Sequence, residues 1–135
     1  MPTGGCFCGA VRYTYTGEPA GKAICHCLDC RKISGTTYST NVLIPADALT
    51  LTAGTPKTYS CVGGSGKPIT NFLCGDCGST MWREIAAYPG MKVVKAGTLD
   101  AVDALDLAKP ETELFVTRRT KWVQEVQGVA QKEQM

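Results

Sequence analysis

The chain has 135 residues, of which 44% are hydrophobic and 19% charged, with a formal net charge of +2. That length fits one domain with a self-supporting core, and no apolar run approaches the roughly 18 residues a membrane span needs. The opening MPTGGCFCGA has neither the basic flank nor the apolar segment of a secretory signal, so a cytoplasmic, reducing setting without a membrane partner is expected.

Short segments rich in β-branched and aromatic residues, with apolar and polar positions alternating, read as strands. In chain order they are AVRYTYT from Ala10, TTYSTNVLI from Thr36, PITNFLC from Pro68, STMWREI from Ser79, MKVVKAG from Met91, ELFVT from Glu113 and TKWVQEV from Thr120. Gly, Pro or Asp marks most of the breaks between them. Only Leu28 to Ser34 and part of LDAVDALDLA from Leu99 read as helix, and both are short. YSCVGGSGKP from Tyr59 reads as the most flexible loop. After Val126 the periodicity ends, so a single domain over residues 1–126 and a disordered tail over 127–135 are expected. The fold class is mostly β with one or two short helices.

Eight cysteines are many for a chain in a reducing compartment, where metal binding or catalysis displaces disulfides as the explanation. They fall as Cys6-x-Cys8, Cys25-x-Cys27-x-x-Cys30, Cys74-x-x-Cys77 and a solitary Cys61. Two short thiol pairs from distant parts of a chain can close around one tetrahedral Zn²⁺, and Cys6, Cys8, Cys74 and Cys77 fit that description. Gly9 and Gly78 follow the two pairs, as suits tight turns whose amides point at thiolate sulfur. With seven thiolates around two Zn²⁺ ions the apparent basicity of the chain disappears.

The middle motif supplies three thiols, and zinc held by three protein ligands keeps a fourth position for substrate. In extended backbone Cys25 and Cys27 face one way and His26 the other, so His26 reads as a packing or hydrogen-bonding neighbour ahead of a ligand. Arg31 and Lys32 follow closely enough to lower thiol pKa values or to receive an anionic substrate. Three thiolates leave Zn²⁺ with a net negative charge and make it a poor Lewis acid, which favours thiol chemistry over water activation. Cys61 reads first as a small apolar residue at a strand end, with a mobile fourth ligand or a reactive thiol as the alternatives.

Other signals are weak. GGSGKP has Cys61 where a phosphate loop needs its first glycine and Pro68 where it needs Ser or Thr. TRRTK from Thr117 carries three cations without a wider basic face, so it reads as a solvated strand edge and no nucleic-acid partner is expected. Trp82 and Trp122, in alternating contexts, read as core residues.

GGCFCGAVRY from Gly4, CHCLDCRKISG from Cys25, FLCGDCGSTMW from Phe72 and ELFVTRRTKWV from Glu113 together resemble the glutathione-dependent formaldehyde-activating enzyme family, also called the centromere protein V type. The resemblance implies an Mss4-like zinc-binding fold of short antiparallel sheets with two zinc ions per chain. It implies a structural zinc at Cys6, Cys8, Cys74 and Cys77 and a catalytic zinc at Cys25, Cys27 and Cys30. The activity implied is that of a carbon-sulfur lyase, joining glutathione as co-substrate to formaldehyde to give S-hydroxymethylglutathione, or reversing that step. Two other readings stand beside it. One is a lyase or dehydratase on a biosynthetic small molecule, with Cys61 or His26 moving protons. The other is a non-catalytic Mss4-like binding module, which has no need of an open ligand position. Substrate selection is expected in the loops from Cys61 to Lys67 and from Asp100 to Thr112.

Overall fold

Alternating β-branched and aromatic residues build most of the eleven strands in the computed structural model, which describes all 135 residues. In chain order the elements are β1 (Thr3–Gly5), β2 (Arg12–Tyr15), β3 (Gly21–Cys25), helix α1 (Leu28–Ser34), β4 (Ser39–Pro45), β5 (Leu49–Ala53) and β6 (Lys57–Val62). They continue with β7 (Pro68–Leu73), β8 (Thr80–Ile85), β9 (Met91–Lys95), helix α2 (Ala104–Leu107), β10 (Thr112–Leu114) and β11 (Ala130–Gln131). The mostly β class is as expected. The sheets are one small antiparallel sheet, β1-β2-β5, and one broad sheet ordered β11-β10-β3-β4-β9-β8-β7-β6. The broad sheet is mixed, because β10 runs parallel to both β3 and β11.

The two sheets share one apolar core. Tyr13, Tyr15 and Leu49 from the small sheet, with Val11 just before it, meet Val42, Ile44, Trp82 and Val94 from the broad one. Tyr13 stands edge-on to Trp82 at 5.8 Å between ring centroids, and Phe72 stacks on the same indole at 5.1 Å. A bulge between Phe72 and Leu73 lets β8 bury Met81 and Trp82 in succession, which strict alternation forbids.

The other face of the broad sheet is also buried, yet it is polar. Ser39 and Asn41 alternate with the core residues of β4, Asn71 with Phe72 of β7, Arg83 with Trp82 of β8, and Lys95 with Val94 of β9. Helix α1 packs beside β4. This polar row surrounds the second cysteine motif.

The last third departs from expectation. Phe115 takes a left-handed backbone, φ 55, which ends β10 at Leu114 and turns the chain into a short 3-10 segment, Val116–Arg118. TKWVQEV therefore forms no strand, and Trp122 lies outside the core with 77% of its surface exposed. TRRTK is not a strand edge either, since Arg119 turns inward to pair with Glu113 at 3.3 Å. Residues 130–131, expected in a disordered tail, form β11 against β10. Their order comes from Glu113, whose backbone carbonyl accepts Lys132 N–H at 2.9 Å and whose carboxylate accepts Gln131 Nε2 at 2.8 Å.

Candidate metal centres

The sulfurs of Cys6, Cys8, Cys74 and Cys77 lie within 4.8 Å of one another. Cys6 and Cys8 sit in the turn between β1 and β2, and Cys74 and Cys77 in the turn between β7 and β8. Each turn closes on itself: Gly9 N–H donates to Cys6 C=O at 3.1 Å and Gly78 N–H to Cys74 C=O at 2.9 Å. Both glycines stand at positive φ, 81° and 79°, where a Cβ is disfavoured. Backbone amides then point at sulfur, from Val11 to Cys6 at 3.2 Å and from Asp76 to Cys74 at 3.4 Å. Hydrogen bonds from the Ser79 hydroxyl and N–H draw the Cys77 thiol down to about 5.

The spacing of these sulfurs fits a tetrahedral ion. With metal–sulfur bonds of about 2.3 Å, neighbouring ligands stand about 3.8 Å apart, whereas a disulfide needs about 2.05 Å. Cys6 and Cys8 are 3.6 Å apart and Cys8 and Cys74 are 3.7 Å apart.

The second group brings together Cys25, Cys27 and Cys30, again with sulfurs within 4.8 Å of one another. Cys25 ends β3, Cys27 caps α1 by accepting Cys30 N–H at 3.3 Å, and Cys30 comes round on the first turn of that helix. Hydrogen bonds from the thiols of Cys25 and Cys27 draw Cys30 down to about 2. No histidine nitrogen or carboxylate oxygen joins either group. Each group could hold a metal ion.

His26 is fully buried, and its Nε2 meets Glu113 Oε1 at 2.7 Å while its ring lies edge-on to Tyr38. Cys61 lies on β6 opposite Ile69, outside both sulfur groups. Arg31 and Lys32 are exposed. The cations at the second group are instead Arg83, whose Nη1 stands 3.9 Å from Cys30 Sγ, and Lys95. Burial draws Lys95 down to about 8, opposed by the Cys30 thiolate. Each cation is held by a buried amide, Arg83 Nε donating to Asn71 Oδ1 at 3.1 Å and Lys95 Nζ to Asn41 Oδ1 at 2.6 Å. None of these four residues stands near the motif in sequence, and lone polar residues in alternating strands look the same as solvent-facing ones. The one available signal is that they recur on the face opposite the core residues.

A cavity of about 420 Å³ is lined by Ser39, Thr40, Ser79, Thr80, Lys95 and Thr98 among others, and by none of the three thiols themselves. Its size suits a small molecule, and Ser39 and Lys95 connect it to the thiols. The loop from Cys61 to Lys67 does not reach it, while Leu105, in the second expected selection loop, does.

A model of the glutathione-dependent formaldehyde-activating enzyme family matches residues 1–118, and the chain belongs to that family. No curated protein matches the sequence. A crystal structure of a Rhodobacter sphaeroides protein is similar in fold, with a TM-score of 0.62 and 21% identity, covering 80% of this chain and 96% of that one. No helix here is long and apolar enough to cross a membrane.

Proposed function

We propose that the chain is a zinc-dependent carbon-sulfur lyase acting on a thiol-aldehyde adduct such as S-hydroxymethylglutathione. The observation that carries this reading is the convergence of Cys25, Cys27 and Cys30 with no fourth protein ligand beside them. Cys6, Cys8, Cys74 and Cys77 would hold a structural Zn²⁺ with all four positions filled, and the triad would hold a second with one position open. Bound there, zinc supplies a place where a substrate thiol is held deprotonated near neutral pH.

The remaining chemistry falls to the chain. Cys25 and Cys30 are buried and Cys27 is half-buried, so approach is restricted to the Cys27 side. His26 is tied to Glu113 and keeps the loop that carries Cys25 and Cys27 in place. The adjoining cavity has room for the rest of a small adduct and presents hydroxyls and the Lys95 ammonium to its polar groups. In the condensing direction the thiol sulfur attacks the aldehyde carbon, the carbonyl π pair moves to oxygen, and that oxygen takes up a proton. Cleavage runs the same steps backwards.

Replacing Cys27 by Ser tests the reading. The variant should lose about one zinc per chain and stop converting glutathione and formaldehyde, followed by ¹³C NMR of labelled formaldehyde. Full turnover in the variant contradicts the proposal. Two firmly bound metals without any turnover in the parent protein favour the binding module.

A further inference from the structure

Arg83 and Lys95 are 5% and 8% exposed, and no carboxylate pairs with either. Buried cations without an anionic partner are strongly disfavoured, so their anion has to be found nearby. The thiol triad is the anionic group at hand: Arg83 Nη1 stands 3.9 Å from Cys30 Sγ, Asn71 directs the guanidinium there from the opposite position of the next strand, and the charge of Lys95 acts on Cys30. Lys95 is built the same way, with Asn41 directly across the β4–β9 pairing. Asn41 is fixed in turn, since its Nδ2 donates to Ser39 Oγ at 2.9 Å and to Ala23 C=O at 3.2 Å. Two strand pairs have thus each been given a cation and an amide in register. The first sulfur group has no such device, and its sulfurs take contacts from backbone amides and the Ser79 hydroxyl.

We propose that Arg83 and Lys95 are positioning residues that make the second metal site receptive to an anionic fourth ligand, a thiolate in particular. The inference rests on the reading of that site as a divalent ion held by three thiolates. Three thiolates outweigh a divalent ion by one negative charge, and alone such a site repels an incoming thiolate. Two buried cations reverse the sign, and entry of one thiolate then brings the assembly to neutrality in a region of low dielectric. Asn41 and Asn71 keep the cations aimed at the sulfurs without neutralising them. Arg83 supplies a permanent charge, and Lys95, which also lines the cavity, carries the positive region to the cavity wall.

The test uses the cobalt-substituted holoprotein, in which sulfur-to-cobalt absorption reports each ligand that enters. Glutathione is titrated into the parent protein and into Arg83→Gln and Lys95→Gln, and imidazole is titrated as a neutral ligand. Both variants should bind glutathione about tenfold more weakly or worse while retaining both metals and the parent affinity for imidazole. Arg83→Lys should recover much of the loss. An unchanged glutathione affinity in both Gln variants overturns the inference, as does an equal loss for imidazole, which marks a damaged site instead of a missing charge. If glutathione leaves the spectrum of the parent protein unaltered, the open-site reading itself fails and takes this inference with it.

Discussion

Glu113 has no solvent exposure, and its carboxylate is fully engaged. Oε1 faces His26 and Arg119, and Oε2 accepts Val126 N–H and Gln131 Nε2, both at 2.8 Å. Burial alone pushes a carboxyl up, but the hydrogen bonds from Gln131, His26 and Val126 and the charge of Arg119 prevail and hold it at about 2 against an ordinary 4.5. The folded state therefore favours the carboxylate. Its stabilisation is complete above pH 4.5 and fades as the pH falls toward 2. Glu113→Gln should flatten the acid limb of a urea-denaturation series across that window; an unaltered slope assigns the acid sensitivity elsewhere. Glu113→Ala leaves the buried His26 imidazole without its partner and Arg119 with Gln131 Oε1 alone, and should cost about 3 kcal/mol in the same measurement at neutral pH. At this scale the cysteines were legible because ligand spacing is local. Glu113, Arg83 and Lys95 were not, since each meets its partner from a distant strand and nothing in its immediate neighbours marks it as buried.

Among the elements, the turns between β1 and β2 and between β7 and β8 matter most, because all four sulfurs of the first group sit in them and not in the strands. Gly78→Ala adds a Cβ that meets nothing within 4 Å, so its penalty is purely the left-handed backbone, about 1 kcal/mol. That strain should appear as release of a metal at a lower chelator concentration, with sheet content unchanged by circular dichroism; release at the parent's concentration removes the turn geometry from the account. β11 is only Ala130–Gln131, yet Val116 N–H reaches Lys132 C=O and Ala130 N–H reaches Glu111 C=O. Ending the chain at Val126 should lower the melting temperature by several degrees, whereas a loose tail could be removed without effect. Helix α1 was readable over Leu28 to Ser34, and most of the long strands from their alternation. β1, β3 and β5 passed unrecognised: TGG carries two glycines, GKAIC buries three residues in succession without alternating, and LTLTA is exposed beyond Leu49. β6 was hidden in a run of glycines that belongs only to its turn. TKWVQEV misled for the opposite reason: it alternates well, but the left-handed Phe115 has already turned the chain off the sheet edge.

Across the molecule, the first sulfur group joins ligands 66 residues apart and ties the small sheet to the β7–β8 hairpin, while the second lies along one short stretch of chain. Closing the longer loop constrains the unfolded chain more. Cys74→Ser should therefore lower the melting temperature more than Cys27→Ser, by circular dichroism on the metal-loaded proteins; equal losses contradict the division of the two sites into a tie and a reaction centre. The family could be read from four motifs and the mostly β class from the alternating segments. The polar face of the broad sheet could not, because burial on both faces follows from how the strands assemble.

X-ray absorption at the zinc edge tests the central claim most directly, because it counts sulfur neighbours per ion. One filled and one open site give a mean of about 3.5 sulfurs per zinc with a light-atom ligand making up the rest, rising to about 4 when glutathione is added. A mean of 4 in the protein alone, or no change with glutathione, contradicts an open position at Cys25, Cys27 and Cys30.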